Sequence, residues 1–433
     1  MKIAWFTPFN KRSAIGNYSK HATEAIRRWN EVDIYVNYDP TEGKEELYDT
    51  PLKIKRYEGL EVVNELNDYD ICVYNMGDNA IYHSAIYEVL KVKKGIIIAH
   101  DICMHNFIVG YNCVYKKQYQ EYLHILEKEY GEEAVKFLSE ALKSSDEWKK
   151  IDFLKYNMLR YICGDALGIV VHSKYHESYI KEVYKGPVLT TPLLCMNEWE
   201  DDENSKERNN DIVNFLTVGM VNSNKHIDLI VKVIGKNKIL REKVRYYVVG
   251  ASTNKEYFEK IKKLIKYYNL ENNVFLLGYV DDEEMGQKYK EADAIINLRY
   301  PALEGGSASL VEQMLDGKCI VVTNTGVYSE IPDECVCKIE PNNMEMNLEK
   351  SMLEIVENSQ LAINYGMKAK AYAKLEFSEE LYGNRMNEFL DEVAFSLPLY
   401  EVVQKCNDTL QCMKRTNVER RLVEEMIKMF SDI

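Results

Sequence analysis

The chain contains no apolar run of the ~18–20 residues that a membrane-spanning helix requires, so no such helix is expected. It shows no internal repeat and no low-complexity tract, which sets aside repeat architectures. It has no CxxC pair. Ten cysteines are scattered, and the nearest approach is Cys335-Val336-Cys337. Reduced thiols serving as small core hydrophobes are expected. The start, MKIAWFTPF, offers one lysine and a short apolar strand, without the long apolar region or small-residue cleavage site of a signal peptide. Together these features lead us to expect a cytoplasmic protein. Positive charge is scarce: 55 Lys and Arg against 69 Asp and Glu give a net charge of −14. That balance excludes a general nucleic-acid binder and broad adhesion to anionic lipid, while leaving room for a local basic patch.

What is present reads as a globular α/β protein. The 433 residues suffice for two or three domains, and 46% hydrophobic with 29% charged residues is ordinary composition. Short apolar segments at 2–7, 33–36, 71–74, 95–99 and 166–171 alternate with helical patterns, the first helix starting near Tyr18-Ser19. A second series follows at 212–219, 244–250, 274–280, 294–296 and 319–323. Such alternation predicts parallel sheets covered on both faces. Residues 197–211, NEWEDDENSKERNND, are dense in charge and poor in apolar groups, so the inter-domain connection is placed there. The predicted division is a first domain over 1–195, a linker over 196–211, a second domain over 212–377 and C-terminal helices over 378–433 that cross back to the first. Within the first domain, about 106–161 form a helical insert with a break near Tyr130-Gly131, its aromatics serving as core. Residues 186–192 lead out of that domain. Ser378 to Phe395 reads as one amphipathic helix and 397–433 as one or two more. Lys414-Arg415 and Arg420-Arg421 on that tail fit a solvated face, with peripheral membrane or partner contact as the alternative.

The most informative stretch is 294–331, AIINLRYPALEGGSASLVEQMLDGKCIVVTNTGVYSEI. A buried strand leads into a loop with Glu304 and Gly305-Gly306. A helix follows, capped by Ser307 or Ser309 and stopped by Gly317, and then a second strand. This βαβ unit presents a helix N-terminus at the carboxyl edge of a parallel sheet, where glycines let a phosphate reach bare N–H groups. Glu304 and Glu312, with seven residues between them, flank that seat. Two carboxylates so placed suit a ligand with hydroxyls on both sides of a diphosphate, as in a nucleotide sugar. A plainer reading exists: Ser309 to Glu312 fits a capping box, and the glycine pair fits a simple turn. His100-Asp101 follows the strand 95–99, so it too lies at a carboxyl edge, where it can hold hydroxyls or set a tautomer for proton transfer. His172-Ser173-Lys174-Tyr175 opens a later helix with Ser173 as its cap.

At Glu304-Gly305-Gly306-Ser307-Ala308-Ser309-Leu310-Val311-Glu312 the sequence resembles the retaining glycosyltransferases of family 4, whose signature is two glutamates with seven residues between. The flanks Asn297-Leu298-Arg299-Tyr300-Pro301 and Gly326-Val327-Tyr328-Ser329-Glu330-Ile331-Pro332 resemble the same family, and the likeness covers roughly residues 1–395. The insert is similar to that of a bacterial subgroup. The resemblance implies the GT-B fold: two Rossmann-like, doubly wound parallel-sheet domains facing across a cleft. It also implies transfer of a sugar from a nucleotide-diphosphate sugar to an acceptor hydroxyl with retention, in glycan, polysaccharide or glycoconjugate synthesis.

The implied donor site comprises Lys225 on the diphosphate, alone or with Arg299; Glu304 on the sugar hydroxyls; Gly305, Gly306 and Ser307 at the phosphate; Glu312 on the ribose; and Tyr279 and Val280 beside the base. Gly16 stands in the family's glycine-containing loop, with Ala14 where a second glycine is usual, and Met220 stands where an arginine is usual. His100 corresponds to a histidine that contacts the donor sugar near the reacting carbon; Asp101 and His105 are acceptor-side candidates. His100, Glu304 and Lys225 are the implied catalytic set. The acceptor is a glycan, a lipid-linked group or a protein. No cofactor or metal is expected, because no DxD flanked by apolar strands is found and Asp281 to Glu284 open a helix instead. The rival readings are a non-catalytic scaffold of the same fold and a GT-B sugar-nucleotide epimerase.

Overall fold

The computed structural model describes residues 1–37, 46–148, 150–164, 166–196, 211–252 and 254–415. The linker expected at 196–211 and the tail beyond 415 thus lie almost wholly outside the described residues. In the first domain, β1 (Lys2–Phe6), α1 (Ala14–Ile26), β2 (Glu31–Asn37) and β3 (Lys53–Tyr57) run outward from the centre of a sheet. β4 (Ile71–Met76), α2 (Ala80–Val92) and β5 (Ile96–Ala99) run the other way. The insert follows, as α3 (His105–Val109), α4 (Tyr119–Tyr130), α5 (Glu132–Ala141), α6 (Ser145–Trp148) and α7 (Leu159–Cys163), and then β6 (Gly168–Val171), α8 (Lys174–Val183) and β7 (Val188–Thr190). The seven strands lie in the order β3-β2-β1-β4-β5-β6-β7 and pair in parallel.

The second domain repeats the plan. It contains β8 (Val213–Val218), α9 (Ile227–Lys236), α10 (Lys238–Lys243), β9 (Val244–Val249), α11 (Lys255–Tyr267) and β10 (Val274–Gly278). After α12 (Asp282–Glu291) come β11 (Ala294–Asn297), α13 (Ala308–Leu315), β12 (Cys319–Thr323) and β13 (Cys337–Ile339). The parallel order is β10-β9-β8-β11-β12-β13. Three helices end the described chain: α14 (Met344–Glu357), α15 (Ser359–Glu376) and α16 (Glu379–Arg415).

Local chemistry explains the boundaries. Ser13, Asn79, Ser173, Asn254, Asp281, Ser307 and Asn358 each accept a backbone N–H of the first turn they cap. The cap at Ser13 starts α1 at Ala14, four residues before the predicted Tyr18-Ser19. The edge strands β3 and β7 escaped the sequence reading because they are short and only half-buried. The break at Gly131 is as expected, with φ at +82°. The tail differs from expectation: α16 runs unbroken through Pro398, so 378–395 and the following residues to 415 form one helix rather than two or more.

α16 packs on the first domain. Its Tyr382, Met386, Phe389, Leu390 and Val393 share one apolar cluster with Trp5 and Val170 of the first sheet and with Met314 of the second domain. Tyr18 and Tyr382 join their hydroxyls, and Asn30 Nδ2 donates to Asn387 Oδ1 at 2.9 Å.

α15 crosses the α13–β12 turn so closely that a Cβ on Gly366 would lie 1.9 Å from the Gly317 carbonyl oxygen. Gly366→Ala gains about 1 kcal/mol of helix propensity but must push two backbones apart. We expect a net loss of about 2–3 kcal/mol, read as a lower denaturation midpoint.

Candidate active site

In each sheet the strand order reverses between two neighbours, and ligands of open α/β sheets bind at the carboxyl edge of that point. In the second domain the neighbours are β8 and β11. The chain leaving β8 turns at Gly219 (φ +95°), where a Cβ would lie 2.6 Å from Lys225 Nζ. Lys225 is buried and donates to the Val218 carbonyl. The chain leaving β11 carries Arg299, whose Nε meets Glu304 Oε1 at 3.2 Å while its Nη1 donates to Leu298 O at 2.8 Å. Glu304 also accepts the Tyr328 hydroxyl at 2.7 Å and the Leu303 N–H at 3.2 Å. Lys225 senses both neighbours. Burial and then the Arg299 guanidinium pull its ammonium down to about 7, against the attraction of Glu304.

α13 starts beside this group. Its cap is Ser307, whose Oγ takes the Leu310 N–H at 3.3 Å and also meets the Tyr328 hydroxyl at 3.1 Å. The capping box on Ser309 is therefore not the one used, and Glu312 projects from the second turn, half-buried and next to Tyr289.

The first domain closes directly on this loop. Gly305 N–H donates to His100 O at 3.2 Å, and Ile102 N–H donates to Leu303 O at 3.3 Å, so Asp101 and Glu304 face each other in an antiparallel bridge. Ser173 Oγ donates to Gly305 O at 2.7 Å. Glu330 accepts the N–H groups of Lys174 and Tyr175 at the start of α8, at 3.0 and 2.6 Å, where a helix dipole favours an anion. The glycine pair is fixed by this contact: a Cβ on Gly305 would stand 2.3 Å from His176 Nδ1, and one on Gly306 2.9 Å from His172 Cβ.

Four of the chain's eight histidines collect beneath the loop. His100 Nε2 faces Asn75 Oδ1 and its Nδ1 faces His172 Nε2. His83 Nδ1 faces Asn75 O, and both nitrogens of His176 are buried without a partner. Burial pushes His83 and His172 to about 4 and His176 to about 3, with His100 also well below its ordinary value. Two carboxyls lie beside them. Burial lifts Asp101 to about 6, helped by Glu304 and opposed by the Asp78 N–H, and lifts Asp78 to about 7.

Thus Lys225, Arg299, Glu304, Gly305, Gly306, Ser307, His100 and Asp101 come together. Other candidates stand apart. His105 is fully buried, with Nδ1 on Tyr156 O at 2.6 Å and Nε2 on the Tyr122 hydroxyl at 2.9 Å, so it ties the insert together rather than facing an acceptor. Gly16 is buried against its own loop: a Cβ there would meet Pro8 O at 2.5 Å, so packing, not ligand approach, explains the missing side chain. Tyr279 is 83% exposed past the end of β10, and Val280 is buried beside it. Met220, in place of an arginine, is half-exposed. The sequence reading missed Tyr328, Asp78 and the roles of His172 and His176. His172 carried a signal, since it follows β6 at the carboxyl edge; Tyr328 carried none beyond its place in the flank.

Among the described residues, no group of three or more His, Cys, Asp or Glu is arranged to hold a metal ion. A family model described as "Glycosyl transferases group 1" matches residues 197–372. An uncharacterized glycosyltransferase of Methanocaldococcus jannaschii is 23% identical over 379 residues, covering 84% of this chain and 92% of that one. Among solved structures, sucrose-phosphate synthase from Thermosynechococcus elongatus superimposes with a TM-score of 0.60 at 16% identity, covering 91% of this chain and 99% of its own. Anabaena HepE, solved in complex with UDP, gives 0.60 at 14% identity, covering 90% of this chain and 100% of its own. The family model thus matches the second domain, and the whole chain shares the two-domain GT-B fold of these solved structures.

Proposed function

We propose that the chain is a retaining, metal-independent glycosyltransferase that moves a sugar from a nucleotide-diphosphate donor to an acceptor hydroxyl in the cytoplasm. One observation carries this reading: Lys225, Arg299 and Glu304, up to 79 residues apart, meet at the switch point of the second sheet. Two cations and the start of α13 suit a diphosphate, and a carboxylate beside them suits sugar hydroxyls. A cytoplasmic setting fits the nine described cysteines, none of which is in a disulfide.

In this reading Lys225 and the N–H groups at Gly306 and Ser307 stabilise charge developing on the leaving diphosphate, usually a large catalytic contribution. Glu304 has about four acceptor positions, of which Arg299, Tyr328 and Leu303 occupy three. The remaining position is open to a sugar hydroxyl. Glu312 takes the ribose. His100 and Asp101 close the sugar from the first domain, where the acceptor enters. Attack occurs on the face the diphosphate leaves, with a donor phosphate oxygen receiving the acceptor proton, so no protein base is required. The closed seam excludes water and limits donor hydrolysis. Glycans, lipid-linked groups and proteins are the acceptor classes to be tested. The HepE complex with UDP-glucose supports trying uridine donors first.

A thermal-shift screen against UDP, GDP, ADP and dTDP without metal tests the donor site. One nucleotide at 100 times its dissociation constant should stabilise the wild type by about 2.7 kcal/mol, and neither Lys225→Ala nor Glu312→Ala should respond. No shift from any nucleotide on folded protein would remove the reading. Because the Lys225 ammonium is held near 7, it is charged below that pH and neutral above it. Diphosphate affinity should therefore weaken about tenfold per pH unit on raising pH above ~7, and Lys225→Met should abolish the slope. NMR of the product's anomeric proton should show the donor's configuration, and Lys225→Ala should lower kcat about 100-fold. An inverted product would refute retention.

A further inference from the structure

Three contacts run in line through two imidazoles. His100 Nε2 faces Asn75 Oδ1 at 3.0 Å, His100 Nδ1 faces His172 Nε2 at 3.3 Å, and His172 Nδ1 faces Thr191 O at 3.2 Å. Both ends are acceptors. Thr191 offers a carbonyl. Asn75 is oriented by its Nδ2, which donates to Phe6 O at 3.0 Å, so the atom turned to His100 is its oxygen. Each contact needs one N–H, and two neutral imidazoles carry only two between them. The line has room for a third.

We infer that His172 is a positioning residue for His100, and that the pair holds one shared proton more than two neutral rings carry. The role of His100 at the donor sugar rests on the function proposed above; the shared proton rests on the contacts alone. With the proton in place all three contacts are filled, and both rings stand edge-on to Tyr18, at centroid distances of 4.9 and 5.2 Å. Without it, lone pairs oppose each other in the middle or one end contact is lost, and the His100 ring is free to turn.

The pair lies under the donor loop, since a Cβ on Gly306 would touch His172. The groups facing it are His83 from α2, His176 from α8 and Tyr18 from α1, which is itself bonded to Tyr382 of α16. The nearby carboxyls are Asp101, next in sequence to His100, and Asp78, whose N–H Asp101 accepts; Glu304 faces Asp101 across the seam. Burial opposes a charge on either ring taken singly. The acceptors at both ends favour it for the two together.

The test uses full-length protein labelled with 15N-histidine, followed by NMR over about pH 5–9, with His100→Gln and His172→Gln for assignment. We expect one imidazolium signature spread over both residues, titrating as a single event and lost in His172→Gln. Two rings that stay neutral throughout would overturn the inference. Kinetics supply the role. Wild-type kcat, measured at saturating donor so that the Lys225 effect on donor affinity is separated, should fall about tenfold per pH unit above the pair's own pKa. Gln at position 172 gives His100 Nδ1 an N–H without needing the extra proton, so His172→Gln should keep kcat within about threefold and lose the alkaline limb. His172→Leu, checked for folding by its melting curve, should lose kcat about tenfold or more. Equal losses in both variants with an unchanged pH profile would make His172 merely structural. The NMR needs no substrate, so a wild type inactive with every donor would refute the glycosyltransfer reading while the proton count is still decided.

Discussion

Two backbone hydrogen bonds, Gly305 N–H to His100 O and Ile102 N–H to Leu303 O, join the loop that leaves β11 to the segment that leaves β5. The rest of the site depends on them. They bring the end of one sheet against the end of another, and they set Glu304 opposite Asp101. At the two residues after Glu304 the first domain lies too close for a side chain. That is why Gly305 and Gly306 are glycines: the positions where a Cβ would go belong to His176, His100 and His172. Ser173 on Gly305 and Glu330 on the α8 N-terminus extend the seam by polar groups that each find a partner in the other domain.

Closing two domains over polar groups has an electrostatic cost, and the site shows how it is met. Lys225 is taken from water and offsets its loss with a single carbonyl hydrogen bond, so its charge is weakly held. Arg299 is paired with Glu304. Glu304 in turn is steadied by Tyr328, which also touches the cap of α13, so one hydroxyl ties the carboxylate to the helix start. Buried pairs are weak evidence of stability. Here they read better as preorganisation, since the groups are held together beside the switch point of the second sheet.

Much of the fold was legible because short apolar segments alternating with capped helices leave few arrangements other than parallel sheets. The strands with strong apolar runs, such as Ile96–Ala99 and Cys319–Thr323, were found within a residue. β3 and β7 were not, because edge strands bury less and their sequences carry little pattern. The start of α1 was missed because its cap, Ser13, sits in a loop whose glycine looked like a ligand contact. α16 was divided because 378–395 reads as an amphipathic helix by itself, whereas the helix runs on through Pro398 to Arg415.

The sequence by itself determined the two-sheet architecture and the loop between Glu304 and Glu312, because periodicity, caps and spacing are local properties written in consecutive residues. It also placed Lys225 and His100 at strand ends. Only the tertiary structure decided that His105 faces inward while His100 faces the seam, that Gly16 serves its own loop, and that Tyr328 and His172 join the site. Those outcomes depend on which residues meet after hundreds of intervening positions are folded. Contacts such as Ser173 to Gly305, between separate domains, leave no trace in the spacing of either segment.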